Sequence, residues 1–105
     1  MGIKYKIIIE NFAKKDILSI YNYISNILGN IIAADRLMNK INEKFNEIAV
    51  FPKSTPLLNN EYVNKDNIRK LIIENYIAFY EINEERHEII ILRILHCTMN
   101  YINII

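Results

Sequence analysis

The chain has few of the residues that build cross-linked, glycine-cradled or strongly basic sites. Cys97 is its only cysteine, so no disulfide bond can form within it. Gly2 and Gly29 are its only glycines, too few for a glycine-rich phosphate-binding loop. The formal net charge is +1, whereas a surface that holds a phosphate backbone is usually clearly basic. These absences exclude a disulfide scaffold, a P-loop and a broad nucleic-acid-binding face.

Metal and membrane sites are not indicated either. The two histidines, His87 and His96, do not have the spacing of metal ligands, and we predict neither a metal nor another cofactor. The apolar run at the N-terminus is too short for a signal peptide. No stretch of about 20 apolar residues is present to cross a bilayer. The expected location is therefore the cytoplasm, without membrane contact.

What the sequence does have is a C-terminal third rich in β-forming residues. Residues 68–73, 76–82 and 89–95 are dominated by β-branched and aromatic side chains. Polar segments of hairpin length, residues 74–75 and 83–87, separate them. We predict three consecutive antiparallel strands from this pattern.

Alternation along these strands predicts which side chains share a face. One face of the second strand should carry Tyr76, Ala78, Tyr80 and Ile82, and the other Ile77, Phe79 and Glu81. In the third strand Ile89, Ile91, Arg93 and Leu95 should oppose Ile90, Leu92, Ile94 and His96. Both faces are largely apolar, so we expect each to be covered at least in part. Arg93 interrupts an apolar run and needs a partner if it is buried, for which Glu81 or Glu74 across the sheet is available.

The N-terminal half predicts one strand and two helices. Residues 4–9 are typical of a strand, Asn11 is a plausible N-cap, and Gly29 ends the helix that follows. The second helix should run from just after Asn30 to about Val50. Apolar residues recur on one side of each helix, namely Ala13, Ile17, Ile20, Tyr21, Ile24, Ile27 and Leu28 in the first and Ala34, Leu37, Met38, Ile41, Phe45 and Ile48 in the second.

A short connection makes these helices an antiparallel hairpin, and packing it on a mostly antiparallel four-stranded sheet buries both stripes. The predicted fold class is α+β, with residues 1–105 as a single domain. Ile17, Ile24, Leu37 and Ile41 should lie between helices and sheet, with Phe79 or Tyr80 beneath them. Pro52 and Pro56 mark a loop at 51–67. Tyr62 in this loop and Tyr101 near the C-terminus are candidate contact residues.

This order of elements resembles the ParE/RelE superfamily of small toxins from bacterial type II toxin–antitoxin pairs, over nearly the whole chain. The first helix is similar to the superfamily phrase A-x-x-D-L-x-x-I-x-x-Y-I. The residues that match this phrase are Ala13, Asp16, Ile17, Ile20, Tyr23 and Ile24. Further phrases similar to the superfamily follow in order: Ala33, Ala34, Pro52, Arg69-Lys70-Leu71, Tyr76-Ile77-Ala78-Phe79-Tyr80, Arg93-Ile94-Leu95-His96 and Met99-Asn100. Each phrase is weak by itself, but their order is specific.

Two branches of the superfamily imply different functions. RelE-like members cut mRNA in the ribosome and typically carry an arginine where this chain has Ile77. ParE-like members end in a phrase similar to Leu95-His96-Cys97-Thr98-Met99-Asn100 and are understood to poison DNA gyrase by binding it. The resemblance therefore favours a ParE-like toxin without hydrolytic chemistry. The alternative is a ribosome-dependent mRNA endoribonuclease with Arg69, Arg93 and His96 as its catalytic residues. A third reading is an inactive member kept as a regulatory partner.

The resemblance also implies partners and a set of contact residues. A cognate antitoxin should form a hetero-oligomer with the chain over an exposed apolar strip on the helical hairpin or a sheet edge. The residues expected to bind the target or the antitoxin are Arg69, Lys70, Arg93, His96, Met99, Asn100 and Tyr101. Structural alternatives stay open: Arg69 as a sheet-edge charge, and His96 as a hydrogen-bonded end of a strand. Cys97 should point away from His96, because neighbours in a strand face opposite sides, so a Cys–His catalytic pair is not expected.

Overall fold

A computed structural model describes residues 2–58, 67–102 and 104–105. The predicted order of strand, helix, helix and three strands is confirmed, and so is the α+β class. The elements are β1 (Lys6–Ile9), α1 (Asn11–Asn22) continued by a π-helical turn (Tyr23–Ile27), α2 (Ile31–Val50), β2 (Arg69–Ile73), β3 (Tyr76–Asn83) and β4 (Glu88–His96). Among these residues no helix has the length and apolar character to cross a membrane. Tyr62 lies outside the described residues.

The strands form one mixed sheet in the order β1-β4-β3-β2. β2 pairs with β3 and β3 with β4 in antiparallel fashion, while β1 pairs with β4 in parallel. Both hairpin turns contain a residue with positive φ, Glu74 and His87, each at 53°. β1 is only 4 residues long and ends opposite Ile91, so the second half of β4 is paired with β3 on one side and has no strand on the other.

A β-bulge changes the predicted faces of β4. Phe79 pairs with Arg93, but the next residue, Tyr80, pairs with Ile91, so Leu92 is an extra residue on β4. An inserted residue reverses the alternation beyond it. Ile91 and Ile94 therefore face the helices together, whereas Leu95 lies in the cluster on the opposite face. The prediction that Ile89, Ile91, Arg93 and Leu95 share one face was wrong for this reason.

The first helix departs from its prediction at both ends. Asn11 is its first helical residue, and the N-cap is Glu10, whose side chain makes no capping hydrogen bond. The π-helical turn adds a residue to the last turn and so rotates the side chains after it out of the α-helical phase. Ile27 and Leu28, predicted to be buried, are consequently 73% and 58% exposed. Gly29 reverses the chain at a φ of 66°.

The second helix matches its prediction closely. It begins after Asn30, whose Oδ1 accepts a hydrogen bond from the Ala33 backbone N–H at 3.0 Å. The Tyr21 hydroxyl donates to Asp35 Oδ1 at 2.8 Å and thereby links the two helices. The apolar stripe of α2 faces the sheet, and the buried residues of this helix are Ala34, Leu37, Ile41, Phe45, Ile48 and Ala49.

Apolar side chains cover both faces of the sheet, as predicted. Leu37, Ile41 and Tyr80 are buried in the cluster under the helices, and Ile17 and Ile24 pack half-buried at its margin. Phe79 belongs to the second cluster, on the other face, so Tyr80 and not Phe79 lies beneath the hairpin. The second cluster joins Leu58, Ile68, Phe79 and Leu95 to the tail residues Tyr101, Ile104 and Ile105.

Candidate functional site

Arg93 is held by a carboxylate on the first helix. Asp16 Oδ2 accepts from Arg93 Nε at 2.7 Å, and its Oδ1 accepts from Nη2 at 2.8 Å. Oδ2 also accepts from the Ile94 backbone N–H at 3.0 Å, which is available because β1 does not extend along this part of β4. The hydrogen bond to Asp16 raises the pKa of Arg93 above its ordinary value. Asp16 is thus both the counter-ion of Arg93 and a cap on the strand edge.

The partner predicted for Arg93 was wrong. Glu81 or Glu74 across the sheet was the suggested counter-ion. Arg93 instead lies beyond Ile91, where the pairing of β4 with β1 ends and α1 packs against β4, and its counter-ion is Asp16. Asp16 could have been found from the sequence, since it is the acidic residue of the superfamily phrase in the first helix.

His96 closes β4 and is fixed by Thr98. Its Nδ1 lies 2.8 Å from Thr98 Oγ1 and accepts from the Thr98 backbone N–H at 3.3 Å. An acceptor Nδ1 carries no proton, so in the neutral ring the proton sits on Nε2. The Tyr76 ring packs edge-on against the imidazole, with centroids 5.3 Å apart. His96 therefore offers an N–H donor at the end of the sheet, and Thr98 is a contributor that the sequence did not reveal.

Arg93 and His96 line one cleft between α1 and the sheet. This cleft has a volume of about 340 Å³, and its wall includes Tyr23, Tyr76 and Met99. A neighbouring cleft of about 560 Å³ shares Tyr23, Tyr76 and His96. Together they form a groove with mostly apolar walls, which we call the His96 groove.

Arg69 lies elsewhere and holds a loop. It is opposite Tyr80 in register, four residues along β3 from Tyr76, the residue opposite His96. That offset is about 13 Å along the strand, and β2 and β4 lie on opposite sides of β3. Arg69 Nη1 donates to the Thr55 carbonyl oxygen. Arg69 is thus not brought together with Arg93 and His96.

Tyr80 anchors the same loop from inside the core. Its hydroxyl donates to the Pro52 carbonyl oxygen at 2.7 Å and lies 2.5 Å from Thr55 Oγ1, which donates to it in turn. Burial raises the pKa of Tyr80 above the ordinary value of 10.0, an effect that the Thr55 hydrogen bond and the charge of Arg69 partly offset. Arg69 and Tyr80, which are paired across β2 and β3, thus both hold this loop.

Removing the Tyr80 hydroxyl should destabilise the fold by about 1–2 kcal/mol, because the Pro52 carbonyl then loses its donor. The free energy of unfolding of Tyr80→Phe, measured in urea, tests this.

The raised pKa of Tyr80 makes its contribution to stability depend on pH. The unfolded chain releases the tyrosine proton at a lower pH than the folded chain, so the stabilisation is complete below pH 10.0 and declines as pH rises through the folded-state pKa. The difference in the free energy of unfolding between wild type and Tyr80→Phe should therefore become smaller above pH 10. A difference that stays constant with pH would contradict this account.

The remaining candidate residues have varied environments. Lys70 is half-buried opposite Phe79 and so faces away from the helices. Met99 is 47% exposed, and Asn100 Oδ1 accepts from the Ile102 backbone N–H at 3.2 Å. Tyr101 packs on Phe79 with ring centroids 5.0 Å apart. Tyr101 thus takes part in the second apolar cluster.

Exposed apolar side chains concentrate on the helical hairpin, which confirms the predicted strip. Ile27, Leu28, Ile31 and Ile32 surround the turn between the helices and are 58–77% exposed. We call this set the hairpin-tip patch. A contiguous exposed apolar surface on a small protein commonly marks an interaction site.

Within the part of the chain that the structure describes, no three histidine, cysteine, aspartate or glutamate side chains lie together as metal ligands. Cys97 is exposed, and its backbone N–H donates to the Asn75 carbonyl oxygen. The candidate site thus has three parts, each described above: the His96 groove, the Asp16–Arg93 ion pair and the hairpin-tip patch.

Comparison with known proteins places this architecture. The chain is similar in structure to the chromosomal ParDE toxin–antitoxin system of P. aeruginosa, with a TM-score of 0.69, 19% identity, and coverage of 90% of this chain and 98% of that one. It is also similar to the RelBE2 toxin–antitoxin complex of Mycobacterium tuberculosis, with a TM-score of 0.67, 18% identity, and coverage of 90% and 99%. At these identities the likeness establishes the fold. No curated protein sequence matches the chain.

A family model settles the assignment. The model described as the ParE toxin of the type II toxin–antitoxin system parDE matches residues 7–101. The match runs from β1 to the tail and includes Asp16, Arg93 and His96. The chain therefore belongs to the ParE toxin family of type II toxin–antitoxin systems.

Proposed function

We propose that residues 1–105 form one toxin domain that inhibits DNA gyrase by binding it, without cleaving nucleic acid. Its place of action is the cytoplasm, where this target works. Family membership supports the toxin role, and the resemblance of the C-terminal phrase to ParE-like endings supports the target. The contact residues we favour lie around the His96 groove.

The observation that carries this proposal is the state of Arg93. Cleavage of RNA needs cationic groups that are free to stabilise the developing charge at the scissile phosphate. Asp16 already occupies Nε and Nη2 of Arg93, so the pair is close to neutral. Arg69 donates to a loop carbonyl and lies far from His96 along the sheet. Ile77, where RelE-like members typically carry an arginine, packs in the second apolar cluster.

The alternative, a RelE-like mRNA endoribonuclease, is favoured by the geometry at His96. The imidazole is oriented by Thr98 and lines the same cleft as Arg93. An imidazole oriented in this way can act as the acid or base of a cleavage reaction. The two readings differ in what His96 does, since only the enzyme needs its proton transfer.

The test compares wild type with His96→Ala in two assays, gyrase supercoiling and primer extension on ribosome-bound mRNA. We expect wild type to inhibit supercoiling and to leave mRNA uncut. We expect His96→Ala to inhibit supercoiling within about tenfold of wild type, as for loss of one contact residue. Discrete mRNA cuts by wild type that fall about 10²-fold or more on replacing His96 would establish the enzyme instead.

We also propose a cognate antitoxin as the partner that forms a hetero-oligomer with this chain. Both solved structures described above are of toxin–antitoxin systems, which supports such a partner. The hairpin-tip patch carries four apolar side chains and no charge, which suits an apolar antitoxin segment. Protection of Ile31 and Ile32 from hydrogen exchange on antitoxin binding would support this docking position.

A further inference from the structure

Phe12 is an exposed aromatic side chain that is nevertheless held in place. It lies in the first turn of α1 and is 65% exposed. Lys15 Nζ is 5.7 Å and Arg93 Cζ is 5.4 Å from its ring centroid. Cations at such distances from a ring are attracted to it. Phe12 is therefore an apolar group whose orientation is set before any partner arrives.

Arg93 is fixed beside this ring and keeps free donors. Its hydrogen bonds among the described residues use Nε and Nη2, both to Asp16, so the two N–H groups of Nη1 stay available. The guanidinium cannot swing away without breaking the bidentate pair. A partner that meets Arg93 here thus loses little side-chain entropy on binding.

The surface around Phe12 is indented on two sides. A cleft of about 300 Å³ has walls that include Phe12, Leu92, Arg93 and Ile105. Arg93 also lines the separate cleft that contains Met99. Arg93 thus stands between two depressions, each large enough for a partner side chain, and Phe12 lines the first of them. Phenylalanine, arginine and methionine are among the residues enriched in protein interfaces.

The charges around Phe12 select the kind of partner. Glu10 lines the first cleft and Asp16 pairs with Arg93, so the positive charges of Lys15 and Arg93 are offset, and this surface lacks the net positive charge that holds a nucleic-acid backbone. Lys15 and Arg93 Nη1 instead suit one or two carboxylates beside an apolar side chain on a protein. The hairpin-tip patch, apolar and uncharged, is the better fit for an antitoxin segment, which leaves the Phe12 surface for the target.

We propose that Phe12, Lys15 and Arg93 form a contact with the toxin's target, a protein surface that presents one or two carboxylates to Lys15 and Arg93 Nη1 and inserts an apolar side chain beside Phe12. This assignment rests on the proposed function for the identity of the target, gyrase. The proposal gives Phe12, Lys15 and Arg93 a role in binding the target and no role in a chemical reaction.

The experiment compares Phe12→Ala and Lys15→Glu with Leu18→Ala, a matched control at a residue of the same helix that is 61% exposed. Gyrase holoenzyme is the probe, and growth arrest on induction is the second readout. The concentration for half-inhibition of supercoiling should rise about tenfold or more for Phe12→Ala and Lys15→Glu. For Leu18→Ala it should change less than about twofold. Thermal unfolding should be similar for all three.

The outcomes separate this proposal from the one on which it rests. Growth arrest that needs Phe12, with no inhibition of gyrase by wild type, would support the Phe12 surface and refute gyrase as the target. Phe12→Ala that acts like wild type in both assays would overturn the assignment. The assignment would equally be overturned by Leu18→Ala losing as much activity as Phe12→Ala, because the effect would then belong to α1 in general.

Discussion

Replacing Leu37 with alanine is expected to lower the free energy of unfolding by about 2–5 kcal/mol. Leu37 is 4% exposed and lies on the buried face of α2, in the cluster between the helices and the sheet. Truncation removes apolar contacts and leaves a cavity that the surrounding side chains cannot fully fill. Urea unfolding of wild type and Leu37→Ala measures the difference.

Ile32→Ala is the matched control, because Ile32 lies on the same helix and is 77% exposed. Its free energy of unfolding should stay within about 0.5 kcal/mol of wild type. Equal losses for the two variants would mean that the helical hairpin does not close the core against the sheet. In that case the exposure of the hairpin-tip patch would need another explanation.

The second large effect is expected at Asp16, whose replacement by alanine should destabilise the fold by about 2–4 kcal/mol. The substitution leaves the Arg93 guanidinium without its counter-ion and the Ile94 N–H without its acceptor. The side chains of Arg93 and Asp16 are only 24% and 13% exposed, so water replaces these contacts poorly. Urea unfolding at neutral pH measures the loss.

A double-mutant cycle with Arg93→Met isolates the ion pair from other effects. The double variant should lose less than the sum of the two single variants, by about 1–3 kcal/mol, because no unpaired charge is left behind. Arg93→Lys should be less stable than wild type although it keeps the positive charge, since an ammonium group cannot make the paired Nε and Nη2 contacts. Strict additivity in the cycle would show that Asp16 acts only as an acceptor for the Ile94 N–H.

Local patterns along the chain determined the element order, the fold class and the strand boundaries to within about two residues. Polar turns at 74–75 and 83–87 separated apolar strands, and the i, i+3 and i, i+4 spacing of α2 placed its buried face correctly. These features depend on residues close together in sequence, so their signals do not need the rest of the molecule. The family phrases belong to the same class of information, and they led to the family that the model match confirms.

The tertiary structure alone decided which side chains meet across long distances in the chain. The bulge opposite Phe79 and Tyr80 changes the face of β4 on which Arg93 lies, and the short β1 leaves this edge of β4 open for Asp16. The π-helical turn exposes Ile27 and Leu28 although their spacing is that of buried residues. One inserted residue in a strand or a helix reverses or rotates every side chain after it, and composition does not reveal such an insertion. The partners of Arg93 and Arg69 also depend on tertiary packing. Arg93 and Asp16 are separated by 77 positions in the sequence, and Arg69 and Thr55 by 14, so these contacts form only when the sheet, the helices and the loop pack together.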